Sequence, residues 1–79
     1  MKQALDLIFP QNLIKEPVIC KMSRKFDVVF NVRRAKITEK TGQIVLELEG
    51  EAPVLSQAVE WLKGQGLKVQ PITHDTLES

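Results

Sequence analysis

Few residues of this chain have the chemistry of a reaction centre. It holds one histidine, His74, and one cysteine, Cys20. A single imidazole in a polar C-terminal stretch completes no Ser/His/Asp set. One thiol and one imidazole form no Cys/His zinc site, and Cys20 has no partner for an internal disulfide. Cys20 falls in mid-helix, where half-buried packing is expected. The acids Asp6, Glu47 and Glu49 fall on alternating segments and read as a solvated face. The glycines, Gly42, Gly50, Gly64 and Gly66, stand at turns or helix ends and build no phosphate loop. These residues argue against an enzyme, a resident metal and a cofactor. One amide remains. Asn31 sits inside "FDVVFNVRRAKI", a stretch that otherwise reads as a strand, where asparagine is disfavoured. Its side chain offers donors and an acceptor together. It could meet the ammonium and carboxylate of an amino acid, or bridge to a neighbouring loop.

The elements that position Asn31 follow from periodicity. "ALDLIF" alternates, with Leu5, Leu7 and Phe9 on one face, and Pro10 ends it. Ile14, Val18, Met22 and Phe26 are spaced by four and form one stripe of a helix over about Pro17 to Lys25. In the following strand Val28, Phe30 and Val32 share a parity that Ala35 and Ile37 do not. A bulge near Arg33 and Arg34 would return both sets to the core side. "TEKTG" is a hairpin turn in which Gly42 is expected to supply a positive φ. "QIVLELE" points Ile44, Leu46 and Leu48 inward. "APVLSQAVEWLKGQG" is a helix by the spacing of Leu55, Ala58, Val59 and Leu62, with Gly66 as its C-terminal cap. "LKVQPI" closes the chain's order as a last strand with Leu67 and Val69 inward.

The order β-α-β-β-α-β with right-handed crossovers predicts an α+β, ferredoxin-like fold: a four-stranded antiparallel sheet with both helices on one face. The inward set includes Phe30 and Val32. The other sheet face would show Ala4, Ile8, Asn31, Val45 and Glu47, and is partly apolar. One domain spans residues 1–79, with an ordered core over about residues 3–72 and a polar tail over 73–79.

With 79 residues the chain is near the lower size at which domains fold alone. Without a disulfide or metal, self-association is the expected source of extra stability. A net charge of +1 supplies no strong field toward nucleic acid or an anionic membrane. "RRAK" with Phe26 and Phe30 could serve single-stranded nucleic acid only if aromatics lay on the open face, and Phe30 has core parity. No run approaches the roughly 18 apolar residues of a membrane span. "MKQALDLIFPQN" lacks the apolar length and cleavage site of a signal peptide, so the expected location is cytoplasmic.

The stretches "FPQNLIKEPVI", "RKFDVVFNVRRAKI" and "GQIVLELEGEAPVLSQAVEWLKGQGLKV", in this order and spacing, resemble the NIL domain over about Ala4 to Ile72. That family occurs at the C-terminus of the ATPase subunits of bacterial methionine importers and, in other bacterial proteins, before a ferredoxin module. The resemblance implies an ACT-like version of the ferredoxin-like fold that pairs with a second copy, binds methionine and restrains transport when the cell is replete. It puts Asn31 at the family's ligand-binding asparagine. Val29 and Phe30 beside it, and Leu13 and Ile14 before the first helix, are the expected pocket wall. The 79 residues include no ATPase domain and no cluster cysteines, so restraint within the same chain and a ferredoxin role are not expected of them. The resulting expectation is a small-molecule-binding regulatory domain, for methionine or a related amino acid, acting as a homodimer. The alternative is a protein-interaction module without a ligand, docking on another NIL-containing protein.

Overall fold

The computed structural model describes residues 1–72. His74 and the expected polar tail lie outside the described residues. Alternation from Lys2 to Phe9 builds strand β1 (Lys2–Phe9), which buries Leu5, Leu7 and Phe9 on one side. Pro10 ends it, and a 3-10 turn (Gln11–Leu13) steps the chain off the sheet, tied by the Leu13 N–H to the Pro10 carbonyl at 2.9 Å. Helix α1 (Val18–Lys25) follows. Pro17 is its N-cap rather than its first helical residue, and its carbonyl accepts the Lys21 N–H at 2.9 Å. Arg24 and Lys25 lie in the last turn, where positive charge suits the helix dipole.

Strands β2 (Val29–Ile37) and β3 (Gly42–Glu49) form the hairpin, helix α2 (Ala52–Gly64) crosses back, and β4 (Lys68–Ile72) completes the sheet. The strand order is β2-β3-β1-β4, all antiparallel, the order of the ferredoxin-like fold. α2 ends as expected. Gly66 has φ of +106°, its N–H donates to Lys63 at 3.0 Å, and the Leu67 N–H reaches the Leu62 carbonyl at 3.4 Å. That double closure is the Schellman arrangement, and it needs glycine at the left-handed position.

The core is a layer of leucines. Leu5, Leu7, Leu46 and Leu48 of the sheet meet Val18 and Met22 of α1 and Leu55, Ala58 and Leu62 of α2. Each of these leucine, valine and methionine side chains contributes about 1.5–3 kcal/mol of transfer free energy. At the rim, Phe26 packs edge-on against Trp61, with centroids 6.2 Å apart at 71°, and ties the end of α1 to α2.

Three expectations change. First, the bulge exists: β2 pairs Val32 with Leu46 and then Arg34 with Val45, leaving Arg33 as the extra residue. It restores phase, so Phe30, Val32, Ala35 and Ile37 stand opposite Leu48, Leu46, Ile44 and Gly42. These β2 residues nevertheless do not enter the core. Phe30 is 39% exposed, Val32 45% and Ile37 58%, because β2 is an edge strand and the buried cluster draws on β1, β3, the helices and Leu67 after α2, with no residue of β2. Second, Gly42 supplies no positive φ; among the described residues only Gly66 has one. The turn is held instead by Thr38, whose hydroxyl accepts the Lys40 and Thr41 N–H groups at 3.3 and 3.1 Å. Third, Cys20 is exposed rather than half-buried packing. It lies two residues from buried Val18, roughly 200° around the helix, and so faces away from the core.

Candidate functional site

The sideways step at Pro10 leaves a gap between the start of α1 and the hairpin end of the sheet. The gap is an apolar pocket of about 150 Å³, walled by Phe9, Ile14, Val18, Ile37 and Ile44, with Glu16 and Cys20 also on its lining. Gly42 lies in the same lining and is itself buried. A Cβ there would sit 3.4 Å from Phe9 Cβ, 3.7 Å from Ile14 Cγ1 and 3.9 Å from Ile37 Cγ1. Any longer side chain would grow into the pocket. Glycine in a strand often marks such a close approach, and here its missing side chain keeps space open.

The polar inventory of this region is short. No buried side-chain nitrogen or oxygen among the described residues lacks a partner, and the core holds no buried polar side chain. Glu16 is paired with Lys21 at 3.7 Å on the surface. The pocket can therefore take an apolar group and rejects a polar one that cannot reach solvent, since burying an unpartnered polar group costs about 1–3 kcal/mol or more.

The sequence-derived site residues separate into two places. Ile14 lines the pocket. Leu13 does not: its Cδ1 lies 3.3 Å from where a Cβ on Gly66 would stand, so it packs against the turn between α2 and β4. Asn31, Val29 and Phe30 lie at the far end of β2. Asn31 stands opposite Glu47 and Val29 opposite Glu49, on the open face of the sheet, while Phe30 stands opposite Leu48 on the helix side. Asn31 is six residues from Ile37, about 20 Å at strand rise, and on the other face. Its carboxamide is exposed and has no hydrogen-bond partner among the described residues, so it bridges to no described neighbouring loop. One chain does not bring Asn31 and Ile14 together. Strand parity puts Phe9 and Ile44 in the core, helical spacing puts Val18 there, and Gly42 reads as a turn residue; the signal for the pocket is the register pairing of a glycine with Phe9 and Ile37, which appears only once the strands are aligned.

No catalytic arrangement emerges among the described residues. Asp6 accepts two hydrogen bonds from Gln43 Nε2, at 3.0 and 3.1 Å, on the open face. No three metal-ligating side chains converge among the described residues. Among them, too, no helix is long and apolar enough to cross a membrane.

Comparison with known proteins agrees with this architecture. The sequence profile of the NIL domain matches residues 3–71. The chain is 36% identical over 59 residues to the methionine import ATP-binding protein MetN 2 of Acinetobacter baylyi, covering 70% of this chain and 17% of that protein. It thus spans under a fifth of that relative's length. Among solved structures, the C-terminal domain of an ABC transporter ATP-binding protein from Enterococcus faecalis superposes with a TM-score of 0.81 at 19% identity, over 92% of this chain and 86% of that one. The de novo designed protein Foldit4 shares the fold with a TM-score of 0.56 at 8% identity, over 94% of this chain and 99% of that one. With its sheet order, its helices and a profile match running from residue 3 to residue 71, the chain belongs to the NIL domain family.

Proposed function

We propose that this domain is regulatory, binds methionine or a related amino acid, and acts as a dimer in the cytoplasm. The observation that carries the reading is the apolar pocket kept open by Gly42 between the 3-10 turn, α1 and the hairpin. Its volume, about 150 Å³, matches that of a cavity able to hold benzene. A four-atom thioether side chain fits within it. The kinship with a methionine import ATP-binding protein supports methionine as the ligand.

The dimer reading is supported by β2. Val29, Phe30, Val32 and Ile37 are, with Met1, the exposed large hydrophobics of the described chain, and they lie on one unpaired edge. Antiparallel pairing of two such edges, centred near Arg33, would carry Asn31 of one copy to the level of Ala35 to Ile37 of the other. In that pairing Asn31 stays on the open face of the joined sheet while the partner's pocket lies on the helix face, so the pairing supports the dimer and does not by itself put the carboxamide in the pocket. Regulation is then linkage: ligand shifts the pairing only by its difference in affinity for the two states.

A second reading rests on the same edge. β2 contains Arg33, Arg34 and Lys36 and no acid, so self-pairing sets like charges near one another, and an acidic strand of a different protein would complement it better. Titration of the isotope-labelled domain with L-methionine, with sedimentation run in parallel, separates the two. Saturable shifts at Ile14, Ile37 and Ile44 and a dimeric mass are expected. A monomer with no shifts in millimolar methionine would leave only the interaction module standing.

A further inference from the structure

The apolar pocket does not end at Ile14 and Ile37. The same two side chains wall a wider open depression together with Gln11, Lys15, Thr38 and Glu39. Lys15 comes from the loop before α1, and Glu39 from the tip of the β2–β3 hairpin. Both are exposed, and neither has an ion-pair partner among the described residues. Of the other polar groups nearby, Glu16 is engaged with Lys21 and the Thr38 hydroxyl with its own turn, and Gln11 adds an uncharged amide. One ammonium and one carboxylate thus share a depression that leads into an apolar cavity of about 150 Å³.

We infer that Lys15 and Glu39 hold the head group of a free α-amino acid whose unbranched apolar side chain enters the pocket. Lys15 takes the α-carboxylate and Glu39 the α-ammonium. The inference rests on the amino-acid reading of the pocket and adds to it the groups that recognise the zwitterion. Charge complementarity is the argument: a free amino acid carries both charges on one carbon, whereas a fatty acid, an amine or a residue within a peptide chain lacks one or both. The lining sets the rest of the specificity. An n-alkyl or thioether chain suits the cavity, an indole exceeds it, and a charged or amide side chain would be buried without a partner.

The test is a titration of the full 79-residue chain, wild type, Lys15→Gln and Glu39→Gln, with L-methionine, L-methioninamide and N-acetyl-L-methionine, read from the methyl signals of Ile14, Ile37 and Ile44. Both substitutions are on the surface and leave the fold unchanged. Each should weaken methionine by about three- to tenfold, as expected for an exposed charge-assisted contact. Lys15→Gln should leave the weaker binding of methioninamide unaltered, and Glu39→Gln that of the N-acetyl compound. Saturable methionine binding that neither substitution nor capping changes would overturn the head-group assignment while the pocket reading stands. Wild-type protein with no saturable shift for methionine would remove the pocket reading, and the head-group assignment with it.

Discussion

Replacing Gly42 by valine fills the proposed site without touching any polar group. The position has no positive φ, so an L side chain meets no backbone strain there. Its Cβ would find Phe9, Ile14 and Ile37 carbons at 3.4 to 3.9 Å, which is ordinary van der Waals contact. The two further methyl groups must then extend toward the cavity, which measures about 150 Å³. A ligand side chain would lose the burial of roughly three methylene-sized groups. At about 0.8 kcal/mol each this is about 2 kcal/mol, or about thirtyfold in Kd. Stability should move the other way or not at all, because valine suits a strand and adds apolar burial. Isothermal titration with L-methionine gives the first quantity and urea unfolding the second, with an unchanged m value as the sign of an unaltered fold. A folded Gly42→Val protein that binds methionine as tightly as wild type would refute the assignment of the ligand to this pocket.

Three other outcomes follow from the same geometry. Asn31→Ala, at an exposed side chain with no described partner, should leave the unfolding free energy within about 0.5 kcal/mol of wild type; a loss of methionine affinity would tie the carboxamide to the ligand, and unchanged affinity would remove it from the site. Val32→Lys puts a charge on the exposed β2 edge and should turn a dimer into a folded monomer in sedimentation, while a persisting dimer would mean that another surface associates. Gly66→Ala forces a side chain into φ of +106° and to 3.3 Å from Leu13 Cδ1, which should cost about 1–2 kcal/mol in denaturant unfolding.

Local sequence determined much of this protein. Alternation set β1, β3 and β4, the four-residue stripe of Val18 and Met22 set α1, and Pro17, Pro53 and Gly66 marked helix ends, because each depends on neighbours within a few positions. Even the Arg33 bulge was legible, since a phase slip in apolar parity is a local signal. Tertiary structure decided the rest. Parity told which face of the sheet Phe30 and Val32 take, but only the strand order made β2 an edge that the helices do not cover. Parity also placed Phe9, Ile37 and Ile44 among inward residues, yet whether they close into core or line a pocket depends on what stands opposite. That is Gly42, which the register pairs with both Phe9 and Ile37 across two strand interfaces. A missing side chain is a property of one residue, but the space it leaves belongs to every element around it.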